Sequence, residues 1–196
     1  RRMQTPEFLV HSYPPKSNRL DAVSLSGGKR GLLIDAFDSA GLNFAPLSAS
    51  ATEKLAKMLG PGSIVGNPLD AGFAAVVDPS VYLQSIKIFI DDPDTDIVII
   101  DSELPKAPHE LRERNLRIVN EMAGAASKPV VYISTMSIGF TEFTKGLRKS
   151  LPNIAVMQGL DRAVGAIKSL IEYASLRKKV PDITSSSKSS ARAVLE

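Results

Sequence analysis

The stretch Ser24-Leu25-Ser26-Gly27-Gly28-Lys29 puts two hydroxyls, two adjacent glycines and a lysine between a short apolar run and an amphipathic one. Glycines let backbone N–H groups converge without interference from a Cβ, and a helix starting there adds unpaired N–H donors and the positive end of its dipole. That combination makes an anion site, with Ser24 and Ser26 as further donors and Lys29 as charge. The same residues suit a plain strand-to-helix turn with Ser26 as the helix cap and no ligand, and at this point both readings stand. The stretch matches neither GxxxxGK[ST] nor GxGxxG. A serine nucleophile fits poorly: the residue two before Ser26 is Ser24, where an elbow needs glycine. The two histidines offer no base, His11 lying in the amino-terminal tail and His109 at the start of a helix.

Three further polar stretches could join such a site. In Asn67-Pro68-Leu69-Asp70, Pro68 stiffens a turn and Asn67 and Asp70 can fold their side chains onto backbone N–H groups. With Gly72 this turn, 66–72, is read as structural, shaping the rim of the anion loop. The stretch 134–139 (STMSIG) is a third loop, in which Ser137 or Thr141 caps the following helix. Asp101 and Glu103 follow an apolar run and are candidates for a polar role. The dense acidic set Asp91, Asp92, Asp94 and Asp96 precedes that run, at what would be the wrong end of a strand for a ligand, and reads as a solvated connector. No metal site is assigned, and the chain has no cysteine, which excludes disulfides and thiolate ligands.

The elements that must hold these loops follow from periodicity. Residues 20–25, 43–47 (NFAPL), 97–100 (IVII), 128–133 (KPVVYI) and 154–157 read as strands; the uninterrupted apolar runs are typical of strands buried on both faces. Helical spacing is found over 29–40, 50–59, 79–90, 108–125, 141–150 and 159–175. Leu32, Leu33, Ala36, Phe37 and Ala40 face inward on the first of these, Leu111, Ile118, Val119 and Met122 on the fourth. Strands alternating with helices predict an α/β fold: a flavodoxin-like, doubly wound sheet of about five parallel strands with helices on both faces, or failing that a Rossmann variant. In such a sheet ligands bind beyond the carboxyl ends of the strands, where 24–28, 101–105, 134–139 and 158–159 converge.

Composition sets the limits. Hydrophobic residues make up 43% of the 196, enough for one core. No apolar run approaches the ~20 residues of a membrane span, and the start RRMQTPEFLVHSYPP lacks the apolar centre of a signal peptide. The first residue is not methionine, and the chain reads as a cut into a longer one. The net charge of +3 is carried by the ends: residues 1–20 and 177–196 are each +3, and 21–176 is −3. A weakly acidic body argues against nucleic-acid binding. The domain is placed at 19–177, with an extension over 1–18 and a Ser/Lys-rich linker over 178–196.

Taken in order, S-x-SGG opening a helix, APLS with T-x-x-L at 45–55, NPLD at 67–70, DPDTD before a buried strand, KPVV and QGLDRAV resemble the NDP-forming acyl-CoA synthetases, the superfamily that includes succinyl-CoA synthetase. The resemblance covers about 18–177 and is greatest to their second flavodoxin-like domain, the carboxy-terminal domain of the succinyl-CoA synthetase beta subunit. The final SSARAVLE is similar to the linker that leads into an ATP-grasp module. The resemblance implies a ligase that turns a carboxylic acid, CoA and ATP or GTP, with Mg, into acyl-CoA, NDP and phosphate through a phosphohistidine on another domain. It implies that Ser26, Gly27 and Gly28 face that phosphate, that CoA-binding and ATP-grasp domains of the same chain or a partner subunit complete the enzyme, and that no catalytic residue or cofactor belongs to this fragment alone. It also implies a cytoplasmic protein and allows a homo-oligomer. A degenerate, regulatory synthetase-like module and an FMN-binding flavodoxin are the two alternatives; against the second, there is no tryptophan and only Tyr132 lies near the rim loops.

Overall fold

The computed structural model describes residues 14–136 and 139–179, without the side chains of Ala74 and Lys179. Five parallel strands, β1 (Leu20–Ser24), β2 (Leu69–Asp70), β3 (Ile97–Asp101), β4 (Val130–Ser134) and β5 (Ala155–Gln158), lie in the order β2-β1-β3-β4-β5. This is the flavodoxin-like order, which reverses between β1 and β3. Among the described residues seven helices connect them: α1 (Gly27–Ser39), α2 (Ala49–Met58), α3 (Gly72–Val77), α4 (Pro79–Asp91), α5 (Glu110–Ala125), α6 (Glu142–Lys149) and α7 (Leu160–Lys179).

The strands are buried on both faces because each feeds two cores by strict alternation. Ile97 and Ile99 point to one side with Leu20, Val131 and Ile133, under Leu33 and Phe37 of α1 and Val164, Ile167 and Leu170 of α7. Val98 and Ile100 point to the other, with Val23, Val130 and Tyr132, under Leu55, Ile86, Phe89, Leu116, Val119 and Leu147 of α2, α4, α5 and α6.

Three expectations are corrected. Residues 43–47 form no strand. Pro46 has no N–H for a ladder; the Ala45 carbonyl accepts from Asn67 Nδ2 (2.8 Å) and the Pro46 carbonyl from Arg19 (3.3 Å), while Phe44 packs on Phe37 with ring centroids 4.8 Å apart. The place beside β1 goes instead to Leu69 and Asp70, inside the predicted turn, with Val23 opposite Leu69 and Ser24 opposite Asp70. Leu32 and Leu111, expected inward, are exposed. On α5 Val119 is buried as expected and Met122 packs against the core, but Leu116 and Ala123 complete the buried stripe in place of Leu111 and Ile118.

Capping follows the sequence closely. Asp78 caps α4 through the Ser80 N–H (2.9 Å), with Pro79 in the first turn, and Thr141 caps α6 through the Thr144 N–H (3.1 Å). Ser137, the other candidate cap, lies outside the described residues. His109 is the N-cap of α5, its Nδ1 accepting from the Arg112 N–H (3.4 Å). At the far end of the sheet α7 continues to Lys179, two residues into the segment read as linker, and the Lys178 ammonium donates to the Lys16 carbonyl. The remainder of that linker and residues 1–13 lie outside the described residues.

Candidate functional site

The loop that carries Ser26, Gly27 and Gly28 sits at the carboxyl end of β1, beside the point where the strand order reverses. Ser26 has extended backbone (φ −153°) and occupies the N-cap position, yet its hydroxyl makes no capping bond. The first intrahelical bond of α1 runs from the Arg30 N–H to the Ser26 carbonyl (2.9 Å), so the N–H groups of Gly27, Gly28 and Lys29 precede the ladder. All three residues 26–28 are exposed. A Cβ on Gly28 would meet only the Ser26 hydroxyl, at 3.8 Å; one on Gly27 would come within 3.2 Å of Asp70 Oδ2.

Beneath this open turn the side chains are tightly partnered. Ser24 is fully buried and donates to Asp101 Oδ2 (2.8 Å), while Thr135 donates to Asp101 Oδ1 (2.6 Å). Asp101 thereby clips β1, β3 and the loop after β4 together; it is a buried brace and does not face the rim. Lys29 stands between Asp101 and Glu103, its ammonium 3.8 Å and 3.6 Å from their carboxylates. Ser24 therefore supplies no free donor, and the Lys29 charge is shared with two acids.

Asp70 links this loop to its neighbour. Its Oδ1 accepts from the Gly72 N–H (3.0 Å) and its Oδ2 faces Gly27. Gly72 has φ +69°, and a Cβ there would lie 2.7 Å from Ser63 Oγ and 2.8 Å from the Gly62 carbonyl, so only glycine fits. The Pro68 carbonyl accepts from Arg30 Nε (2.7 Å), which ties the turn to the first turn of α1; the Asn67–Pro68 peptide is cis. Asn67 sits lower, away from the rim. Its Nδ2 donates to the Leu20 carbonyl (2.7 Å), to Asp21 Oδ1 (2.7 Å) and to Ala45, and its Oδ1 accepts from the Ala22 N–H (3.1 Å). It finishes the free edge of β1 where no strand pairs.

Further round the rim, Tyr132 is buried on β4 and Tyr82, on α4, is half-buried against the same core. Burial pushes the Tyr132 hydroxyl up to about 12 and that of Tyr82 well above its ordinary value, so both stay protonated. With 5% exposure Tyr132 offers no face for a flavin to stack on. A small cleft lies between the ends of β4 and β5, lined by Glu103, Leu104, Ser134, Phe140, Thr144 and Gln158. No group of three or more His, Asp or Glu among the described residues is placed to hold a metal ion, and no helix among them is long and apolar enough to cross a membrane.

The acidic connector differs from expectation. Asp91 and Asp94 are solvated, but Asp92, Thr95 and Asp96 are buried at the amino edge with Asp21. Ser17 donates to Asp96, Ser48 to Asp92 and Thr95 to Asp21, and the Lys128 ammonium donates to the Asp92 carbonyl. Burial raises the Asp21 carboxyl above its ordinary range, with the Asp92 charge adding to it and the Thr95 hydrogen bond opposing it. Burial lowers the Lys128 ammonium, against the pull of Asp92, Asp21 and Asp96.

No family model matches the sequence. The alpha subunit of the ADP-forming acetate–CoA ligase II of Pyrococcus furiosus is 32% identical over 121 residues, which are 60% of this chain and 26% of the ligase subunit. The chain thus spans about a quarter of that relative. Among solved structures, PH0766 from Pyrococcus horikoshii OT3 shares the fold with a TM-score of 0.70 at 20% identity, over 89% of this chain and 40% of the other. The dinucleotide forming acetyl-coenzyme A synthetase 1 of Ca. Korarchaeum cryptofilum, solved with phosphate and ADP, gives a TM-score of 0.64 at 17% identity, over 89% and 36%. Its apo form gives 0.66.

Proposed function

We propose that this chain, a synthetase-like domain similar to part of the ADP-forming acetate–CoA ligases, forms one half of a phosphoryl-transfer site. The start of α1 meets a phosphoryl group that another domain carries, as a phosphohistidine, during conversion of a carboxylic acid, CoA and a nucleoside triphosphate into acyl-CoA, NDP and phosphate. The observation that supports this is the open first turn of α1: exposed, glycine-lined, uncapped by Ser26, and backed by a thirteen-residue helix. Such a turn offers N–H donors and a positive dipole end to charge that develops in transfer, without reorganisation.

The chain's own residues then have distinct parts. Gly27 and Gly28 permit close approach. Ser26, extended and with a hydroxyl that makes no capping bond, is the one side chain at the turn able to donate to an incoming oxygen. Lys29 balances Asp101 and Glu103, so the two carboxylates do not set a repulsive field over the turn. Ser24 and Asp70 act from below, Ser24 by fixing Asp101 and Asp70 by holding Gly72 against Gly27. CoA, ATP or GTP and Mg belong, on this reading, to the neighbouring domains, and the protein works in the cytoplasm.

The test is Gly28→Glu in the intact synthetase. Space for the Cβ exists, and a glutamate in the first turn favours the helix by a few tenths of a kcal/mol, so the fold is retained. The carboxylate then occupies the place of the phosphoryl group. Turnover is expected to fall about 100-fold or more, the loss seen when one transition-state donor is removed; turnover within twofold of the parent refutes the reading.

A further inference from the structure

Nine large hydrophobic side chains are exposed among the described residues, and their distribution is uneven. Four of them flank Asp70. Ile64 (48% exposed) pairs with Asp70 through an antiparallel bridge, its N–H donating to the Asp70 carbonyl (2.9 Å). Phe73 (74%), Val76 (54%) and Val77 (68%) belong to α3, which starts at the glycine that Asp70 holds. Positions 73, 76 and 77 have the spacing of one helical face, and in a six-residue helix that face is nearly all there is. Two more exposed side chains, Leu111 and Met136, stand on the loops and helix starts that follow β3 and β4, at the same rim.

Singly exposed apolar residues need no explanation, but a phenylalanine and two valines side by side on an otherwise well-packed domain mark a contact surface. Its place names the occupant. The Asp70 carboxylate touches Gly72 at the start of α3 with one oxygen and faces Gly27 at the start of α1 with the other. A body that reaches the α1 turn therefore arrives against α3. The relative and the solved structures hold this fold within much longer chains, of which it is 26–40%, so further domains are available to fill that position.

We propose that Phe73, Val76 and Val77, with Ile64 beside them, form the apolar seat on which the phosphoryl-carrying domain docks, its contacting face apolar where it meets α3. The proposal rests on the reading of α1 given above and adds its partner surface. Docking buries the seat and excludes water from the neighbouring turn, where a low dielectric strengthens the interaction of N–H groups with a phosphoryl group.

The chain contains no cysteine, so a thiol can be introduced as a clean probe. Phe73→Cys and, as a second variant, Val77→Cys are each made in this 196-residue chain and in the intact synthetase, and maleimide labelling of the α3 peptide is followed by mass spectrometry. Both sites are exposed, so neither change disturbs the core. Labelling at least tenfold slower in the intact synthetase than in the separate chain supports the seat. Equal rates overturn it, and so does labelling of the separate chain that slows as its concentration rises, which assigns the face to a second copy. Gly28→Glu in the intact synthetase separates the two readings: slow labelling together with normal turnover keeps the docking seat and removes the phosphoryl role, whereas fast labelling with lost turnover does the reverse.

Discussion

The two rims of the sheet hold similar residue types and treat them in opposite ways. At the amino edge three buried aspartates, Asp21, Asp92 and Asp96, each receive a hydroxyl from a different segment, and the chain folds over them. At the carboxyl edge the buried acid Asp101 is satisfied from below, while Ser26, Gly27 and Gly28 are exposed and the Ser26 hydroxyl makes no capping bond. Buried polar groups with complete partners hold a fold together; groups left open at the surface are free to bind. An acidic run in the sequence marked the rim that closes, and a glycine pair marked the rim that stays open.

That contrast can be broken by substitution. Gly28→Glu at the open rim costs about 100-fold in turnover and leaves the melting temperature within a degree or two. Asn67→Ala, at the closed side, does the opposite: the Leu20 carbonyl, the Ala22 N–H and the Asp21 carboxylate all lose a partner, and urea unfolding is expected to show a loss of about 2 kcal/mol. If Asn67→Ala unfolds at the parental urea midpoint, the edge-closing role is wrong. Two serines sharpen the comparison. Ser48 caps α2 through the Ala51 N–H (3.0 Å) and donates to the buried Asp92, so Ser48→Ala costs about 2 kcal/mol; Ser26, at the same position of α1, makes no capping bond, and Ser26→Ala stays within about 0.5 kcal/mol. Equal losses in thermal unfolding would show the α1 turn to be capped after all.

The smallest effect concerns pH. The folded-state pKa of Asp21 is raised, so the native state binds its proton more tightly than the unfolded chain does. Its contribution is fully favourable below the unfolded value near 3.8 and is lost as pH rises through the folded value. The stability of the parent relative to Asp21→Asn is therefore expected to decline with rising pH from about 3.8 upward, in paired urea titrations. A difference that grows with pH contradicts the assignment of burial as the dominant cause.

How far the sequence could be read follows from the range of the interactions. IVII and VVYI are legible as two-faced strands because burial on both sides leaves no charged position in them, and Gly27-Gly28 is legible because the chain itself, between strand and helix, sets the need. The second strand was misplaced because two paired residues carry almost no periodic signal, while NFAPL carries an apparent one; the deciding facts are the proline at 46 and an asparagine 22 residues away. The closed rim was misread for the same reason. Ser17 and Asp96 are separated by 79 positions and Ser48 and Asp92 by 44, and no local pattern reveals that a hydroxyl will fold over a carboxylate. The Asp70 bridge between the starts of α1 and α3 had a partial signal, the Asp70-Ala71-Gly72 order after Pro68, which suggests an aspartate holding the N–H two residues on but not what its second oxygen faces.

The bond between Lys178 and Lys16 bears on architecture at another scale. The first and last described segments therefore lie side by side, at Lys16 and Lys178. A unit with adjacent entry and exit can be spliced into a host chain at almost any exposed loop, because the host's own path is interrupted by only a short gap.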